Sequence, residues 1–173
     1  MNEDLISKYN VPTPRYTSYP PANYFHDKFT NEDYEKAVIS SNETTPQNLS
    51  FYIHIPFCRH LCHYCGCNSY PMAKPDIIEA YVDAVKKEIR KVIPLINKNR
   101  KISQIHYGGG SPSSIPLHYI QDINELLLSQ FECIDSPEIA IECHPGYLDE
   151  NNWMQLINAG FNRCSIGVQD FNS

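Results

Sequence analysis

Four cysteines fall within ten residues, in the run Cys58-Arg59-His60-Leu61-Cys62-His63-Tyr64-Cys65-Gly66-Cys67. Thiolates are the usual ligands of iron–sulfur clusters and of structural zinc. Cys58, Cys62 and Cys65 follow a C-x3-C-x2-C spacing, which delivers three thiolates from one loop. A four-iron cluster held this way is one ligand short, and the open iron can bind and activate a small molecule. Zinc is the competing reading. Structural zinc sites usually join two short pairs across a longer stretch, and the chain has no second pair. Cys67 has two readings, as a fourth ligand or as a neighbour of the site. Both Cys65 and Cys67 could face one cluster only through an unusual backbone at Gly66, so the neighbour reading is preferred.

The remaining cysteines, Cys133, Cys143 and Cys164, stand alone in apolar or strand-like surroundings and read as small buried hydrophobes. Seven cysteines, an odd number, without a secretory signal, argue against a disulfide framework and for a reducing compartment. The net charge of -6 argues against nucleic acid or an anionic membrane as the main partner. The longest apolar runs are far too short to span a bilayer. With 42% hydrophobic and 20% charged residues among 173, the chain can bury one sizeable core but not two.

Residues 1–48 read as an extended arm. They carry Pro12, Pro14, Pro20, Pro21 and Pro46 and the tyrosine-rich stretch from Arg15 to Phe25, and prolines at this density disfavour a packed unit. A short helix is predicted from roughly Asn31 to Ser40. The arm reads equally as a strap packed through its aromatics and as a lid.

From residue 49 onward, strand and helix patterns alternate. Leu49 to Ile55 alternates strictly, with Tyr52 and His54 opposite the apolar set. Ile78, Val82, Val85, Ile89 and Val92 recur at helical spacing before Pro94. Ile102–Tyr107, Glu138–Cys143 and Arg163–Gln169 read as further strands. Leu117 to Leu127 and Asp149 to Ala159 read as helices, with Pro116 and Asp149 at their starts and Gly160 as the second one's stop. Such alternation implies an α/β fold with a parallel sheet.

In parallel α/β folds the active site lies at the carboxyl ends of the strands. Here those ends carry the cysteine loop, then Gly108-Gly109-Gly110-Ser111-Pro112, then Glu142-Cys143-His144-Pro145, then Gln169-Asp170. Four signals therefore fall on one rim. Strand alternation also sorts the faces. Ile139, Ile141 and Cys143, like Cys164, Ile166 and Val168, should meet helices. Ala140, Glu142 and His144, like Ser165, Gly167 and Gln169, should face a polar cavity. The glycine run lets backbone approach a ligand closely or simply makes a tight turn, and it lacks the lysine of a nucleotide loop. Glu142 could hold an amine or ribose hydroxyls, or be an ordinary charge at a strand end.

Together these residues resemble a known family. Tyr52-Ile-His-Ile-Pro56-Phe57-Cys58-x3-Cys62-x-Tyr64-Cys65-Gly66-Cys67-Asn68 resembles the signature of radical S-adenosylmethionine (SAM) enzymes, specifically the oxygen-independent coproporphyrinogen III oxidase family. Lys8-Tyr9-x-Val11-Pro12-x-Pro14-Arg15-Tyr16-Thr17-Ser18-Tyr19-Pro20, Tyr107-Gly-Gly-Gly-Ser111-Pro112 and Ser165-Ile-Gly-Val-Gln169-Asp170-Phe171-Asn172 are similar to its other motifs. The family often has Thr at the position of Ser111 and Asp at that of His144.

The resemblance implies a partial (β/α) radical SAM barrel over residues 49–173, with about four βα units of an expected six, following the arm of residues 1–48. The chain then reads as an N-terminal fragment, inactive alone. The resemblance makes Cys58, Cys62 and Cys65 the ligands of a [4Fe-4S] cluster. It assigns Tyr52, Gly109 and Glu142 to a first SAM, and Tyr64, Gly110, Ser111 and Gln169 to a second. No side chain beyond the cofactors is assigned to the chemistry. The implied reaction is oxidative decarboxylation of two propionates of coproporphyrinogen III to vinyl groups. The implied setting is a cytoplasmic monomer supplied with electrons by a flavodoxin or ferredoxin. Two rivals remain. One is a haem chaperone or haem-modifying enzyme of the same lineage, although such chaperones usually lack the arm and the Cys65-Gly66-Cys67 step. The other is a non-catalytic zinc or iron–sulfur module.

Overall fold

A computed structural model of the chain describes residues 3–10 and 24–168. The Pro12–Pro21 part of the arm, and Gln169 to Asn172 of the last motif, lie outside the described residues. The chain divides into two units, residues 1–34 and 35–173.

The first unit contains helix α1 (Glu3–Tyr9), which the sequence does not announce, and the start of α2 (Asn31–Ser40). Helix α2 begins where it does because Thr30 and Asp33 cap each other. The Asp33 carboxylate accepts from the Thr30 amide at 3.0 Å and its hydroxyl at 2.8 Å, and Thr30 Oγ1 accepts from the Asp33 amide at 3.2 Å. These bonds hold the Asp33 carboxyl below its ordinary range.

The second unit is built on four parallel strands: β1 (Leu49–Ile55), β4 (Ile102–Gly109), β5 (Cys133–Cys143) and β6 (Arg163–Ile166), side by side in that order. Between them run α3 (Pro75–Val92), α4 (Leu117–Leu128) and α5 (Glu150–Asn158). The described residues thus form three complete βα units and a fourth strand. Helix α5 starts at a capping box between Asp149 and Asn152, and Gly160, at φ +89°, ends its last turn. Strand β5 begins five residues earlier than its hydrophobic pattern predicts, across an irregularity in its pairing with β4.

Alternation sorts the faces as expected in β1, β4 and β5. Ile53, Ile55, Ile105, Tyr107, Ile139 and Ile141 are buried against helices that contribute Val82, Ile120, Ile123, Leu127 and Leu156. Each such side chain contributes about 1.5–3 kcal/mol through burial. Two polar groups inside this core satisfy each other. The Tyr107 hydroxyl donates to Asn124 Oδ1 at 2.8 Å, and Asn124 Nδ2 donates to the Ala159 carbonyl at 3.0 Å. Burial pushes the Tyr107 phenol well above its ordinary pKa.

The opposite face is polar and laced across strands. Ser50 donates to Gln104 Oε1 at 2.8 Å, Gln104 donates to Glu138 Oε1 at 2.7 Å, and His106 Nε2 lies 3.2 Å from Glu142 Oε1.

Strand β6 departs from expectation. Cys164, Ile166 and Val168 are exposed instead of covered, because β6 is the edge strand among the described residues and has no neighbouring strand beyond it. Cys143 is buried as expected, and Cys133 is half-buried.

A second, two-stranded parallel sheet pairs β2 (Phe57–Cys58) with β3 (Tyr70–Pro71). Two residues per strand carry no hydrophobic period, so sequence reasoning misses it.

Candidate thiol-lined site

The cysteine loop occupies residues 59–69, between β2 and β3. The Tyr70 amide donates to the Pro56 carbonyl at 2.8 Å, which closes the loop at its base. Inside it, the Cys65 amide donates to the Cys62 carbonyl at 3.1 Å. Cys58 is half-buried, while Cys62, Cys65 and Cys67 are exposed.

The thiols feel one another. Burial raises Cys58 above its ordinary pKa, and the charges of Cys65, Cys62 and Cys67 add to that. Cys65 is lowered, first by the backbone amide of Cys67 and then by the Ser69 hydroxyl. Cys67 is raised, first because it hydrogen-bonds to Cys65 and then by that thiol's charge. Of this hydrogen-bonded pair, Cys65 is the sulfur favoured as thiolate and Cys67 the one favoured as thiol. Gly66 has no positive φ, and a Cβ there would meet nothing within 4 Å. The unusual backbone that the fourth-ligand reading of Cys67 would need at this glycine is not adopted.

The glycine run packs tightly against the end of β1 and the two residues that follow it. A Cβ on Gly110 would lie 2.6 Å from the Pro56 carbonyl oxygen. Gly109 has φ +120°, and a Cβ there would lie 2.7 Å from His54 Cε1. The Gly110 amide donates to the Ile55 carbonyl at 2.8 Å and that of Ser111 to the Phe57 carbonyl at 3.0 Å. The turn is thereby locked onto the start of the cysteine loop.

Glu142 sits at the meeting point. Its Oε1 faces His106, and its Oε2 accepts from the Gly109 amide at 3.4 Å. Tyr52 stacks on His106, with ring centroids 5.9 Å apart and planes 14° from parallel. Burial raises the Tyr52 phenol, with a smaller contribution from the Glu142 charge. Tyr52 and Glu142 flank Gly108, where a Cβ would lie 3.0 Å from both side chains.

A cavity of about 330 Å³ opens onto this rim, lined by Cys58, Cys62, Gly109, Gly110, Ser111 and Glu142 among others. Tyr64 lies on the cysteine loop and is exposed. Gln169 lies outside the described residues. A larger cleft of about 430 Å³, lined mainly by apolar residues of α3, α4 and their approaches, contains none of the four clustered cysteines.

Sequence reasoning left His106 unassigned, although its position opposite Ile105 and Tyr107 marks it as facing the cavity. It also passed over Tyr147, which lines the thiol cavity. No spacing rule reveals that residue.

The donor set can be judged against the groups it would hold. Among the described residues, no three His, Cys, Asp or Glu side chains converge on one point for a single ion. Cys58, Cys62 and Cys67 line the cavity and Cys65 does not, while all four thiols are close enough to feel one another's charge; several thiolates in one loop are the usual ligands of an iron–sulfur cluster. Beside them lie a carboxylate, a backbone amide and the cavity itself. This set fits a cluster with an open iron and a small ligand bearing an amine and hydroxyls.

Comparison with known proteins bears on the same residues. The model of the radical SAM superfamily matches residues 52–173. The chain is 40% identical over 171 residues to the oxygen-independent coproporphyrinogen III oxidase of Synechocystis sp., covering 98% of this chain and 36% of that protein. It is 40% identical over 168 residues to the protein of that name from Escherichia coli K12, covering 97% and 36%. It is 40% identical over 141 residues to the one from Mannheimia haemolytica, covering 82% and 94%. The solved structure of coproporphyrinogen III oxidase from Escherichia coli, described as a radical SAM enzyme, superposes with a TM-score of 0.84 at 37% identity. That match covers 99% of this chain and 37% of the other. The chain spans about a third of the length of most of these relatives.

Proposed function

The chain belongs to the radical SAM superfamily, and from that premise we propose that it carries the cofactor-binding part of an oxygen-independent coproporphyrinogen III oxidase. The cofactors that go with this membership are a [4Fe-4S] cluster and SAM, which together supply one-electron chemistry able to break an unactivated C–H bond.

In this reading Cys58, Cys62 and Cys65 hold the cluster and leave one iron open. Cys67 stays a neighbour that hydrogen-bonds to Cys65. The Gly109 backbone, Glu142 and Tyr52 hold the first SAM. Among the described residues Glu142 is the only carboxylate on the thiol cavity, so it suits the ligand's amine or ribose hydroxyls, with His106 fixing its orientation. Tyr64, Gly110, Ser111 and Gln169 contact a second SAM. Residues 1–48 form the arm that precedes the barrel. The residues orient the ligands at the rim, and the bond-breaking step belongs to the cofactors. The substrate is coproporphyrinogen III, whose two propionates become vinyl groups with loss of carbon dioxide. A flavodoxin or ferredoxin delivers the electrons to a cytoplasmic monomer. No helix among the described residues is long and apolar enough to cross a membrane.

The observation that carries this reading is the shared cavity, where two of the three proposed ligand thiols meet the Gly109–Glu142 pair. Anaerobic reconstitution with iron and sulfide, followed by metal analysis, tests the first part. Iron and sulfide should bind in equal amounts and be lost when Cys58, Cys62 or Cys65 becomes Ser, but not when Cys67 does. Zinc retained in preference to iron would sink it. For a full-length protein containing this segment, release of carbon dioxide from coproporphyrinogen III tests the second part. Haem binding without that release would transfer the assignment to a haem chaperone.

A further inference from the structure

Tyr147 lies in the short 3-10 turn Pro145–Tyr147 that follows β5. Its ring is held on both sides. The His144 imidazole stacks on it at 4.0 Å between centroids and 18° between planes. The Arg59 guanidinium carbon lies 4.7 Å from the ring centroid. A stacked ring at 4.0 Å fills one face, so Arg59 must cover the other. His60 Nδ1 lies 3.3 Å from the Tyr147 hydroxyl.

The anchor behind the ring is firm. The His144 amide donates to Ser113 Oγ at 3.2 Å, and Ser113 is buried. His144 Nδ1 accepts from the Gly146 amide at 3.1 Å, which holds the imidazole, and the Tyr147 amide donates to the His144 carbonyl at 3.1 Å. Arg59 and His60 directly follow Cys58 and precede Cys62. The far end of the cysteine loop is tied to the sheet through Asn68, whose carbonyl lies 2.8 Å from His54 Nε2. Its near end is tied through Tyr147. The same ring lines both the thiol cavity and the larger cleft, so it is the wall between them.

We propose that Tyr147 is a positioning residue for the thiol loop: sandwiched between Arg59 and His144, it clamps the loop's start to the end of β5 and walls the thiol cavity off from the adjoining cleft. The proposal rests on the reading of Cys58, Cys62 and Cys65 as cluster ligands. An aromatic clamp of this kind is worth most where water is excluded, and it limits how far Cys58 and Cys62 can separate when no cluster holds them.

The test compares the full chain with Tyr147→Ala, Tyr147→Phe, Arg59→Met and the Arg59→Met/Tyr147→Ala double variant. Amide hydrogen exchange of residues 59–66 is measured by mass spectrometry on the metal-free protein. The rate of iron loss to a chelator is measured on the reconstituted protein. Tyr147→Ala should speed both roughly five- to seventyfold, the range expected for loss of one cation–π and one stacking contact. Exchange in β1 and β4 should not change. Tyr147→Phe keeps the stack and should remain within about twofold of the parent. Arg59→Met should reproduce part of the Tyr147→Ala effect, and the double variant should add little to the larger single effect.

Unchanged exchange in 59–66 for Tyr147→Ala overturns the proposal, as do effects of the two single substitutions that multiply independently. If Tyr147→Ala does not fold, Arg59→Met, which alters only an exposed loop side chain, decides on the same criterion. If no protein takes up iron, the cluster reading fails, while the exchange data still decide whether the clamp exists.

Discussion

The Tyr52 hydroxyl lies 3.1 Å from His54 Nδ1, so two side chains on the cavity face of β1 are joined before any ligand binds. The other ring nitrogen, Nε2, lies 2.8 Å from the Asn68 carbonyl oxygen. A carbonyl only accepts, so Nε2 must carry the hydrogen. In the neutral ring Nδ1 is then the acceptor, and the Tyr52 hydroxyl is the donor. Tyr52, which also stacks on His106, is thus aimed by the end of the cysteine loop. Long-range nitrogen–proton NMR correlations of the neutral imidazole should show the Nε2–H tautomer for His54. An Nδ1–H pattern would contradict this chain of bonds.

Glycine substitutions should separate turn from loop. Gly110→Ala forces a Cβ to within 2.6 Å of the Pro56 carbonyl oxygen, which is backbone and cannot swing aside. The expected cost is about 1–3 kcal/mol. At about 2–4 °C per kcal/mol for a chain of this size, thermal melting resolves it easily. Gly109→Ala adds backbone strain at φ +120° to a similar clash and should cost at least as much. Gly66→Ala meets open space and should change stability by no more than about 0.5 kcal/mol. A large loss at Gly66 would mean the loop needs a backbone state that the structure does not display.

Tyr107→Phe removes the hydroxyl that donates to the buried Asn124 Oδ1. Leaving that oxygen unsatisfied should cost about 1–3 kcal/mol, read by chemical denaturation. The phenol also shapes the alkaline limb. Its folded pKa is raised above the unfolded value of about 10. Its contribution is therefore complete below about pH 10 and is lost as pH climbs toward the folded value. Tyr107→Phe should flatten that fall, and an alkaline limb identical to the parent's would count against Tyr107 as its source.

Glu142→Gln should leave the fold intact, because an amide oxygen can still accept from Gly109 and the side chain is not buried in the core. If Glu142 binds SAM through its charge, calorimetry on the reconstituted chain should show affinity falling roughly tenfold or more, the scale of one charge-assisted hydrogen bond. Unchanged affinity would remove Glu142 from the site.

What could be read from sequence follows the length of each periodic signal. The apolar rows of β1, α3 and α4 were legible because each spans several turns or alternations, and helix α2 was bounded correctly by residue type alone. The rim was legible because unusual residues follow three strands in succession. Residues whose importance comes from long-range partners were not legible. His106 gains its place from Tyr52 and Glu142, and Tyr147 from Arg59, 88 residues earlier. The glycines were found for an incomplete reason. They also pack against the end of β1 and Pro56 beyond it, and sequence carries no distance between Gly110 and Pro56. The mistaken burial of Cys164 has a similar origin, since alternation says which face a side chain takes but not whether anything covers it.

The pairing of β2 with β3 is parallel, so the chain must double back within residues 59–69 before it can run alongside itself again. Parallel neighbours usually need a crossover of about a dozen residues, and this loop has eleven. The pairing and the Tyr70–Pro56 hydrogen bond hold the two ends of the loop side by side through backbone alone. The cysteines are therefore carried on a closed segment whose ends are fixed independently of any metal.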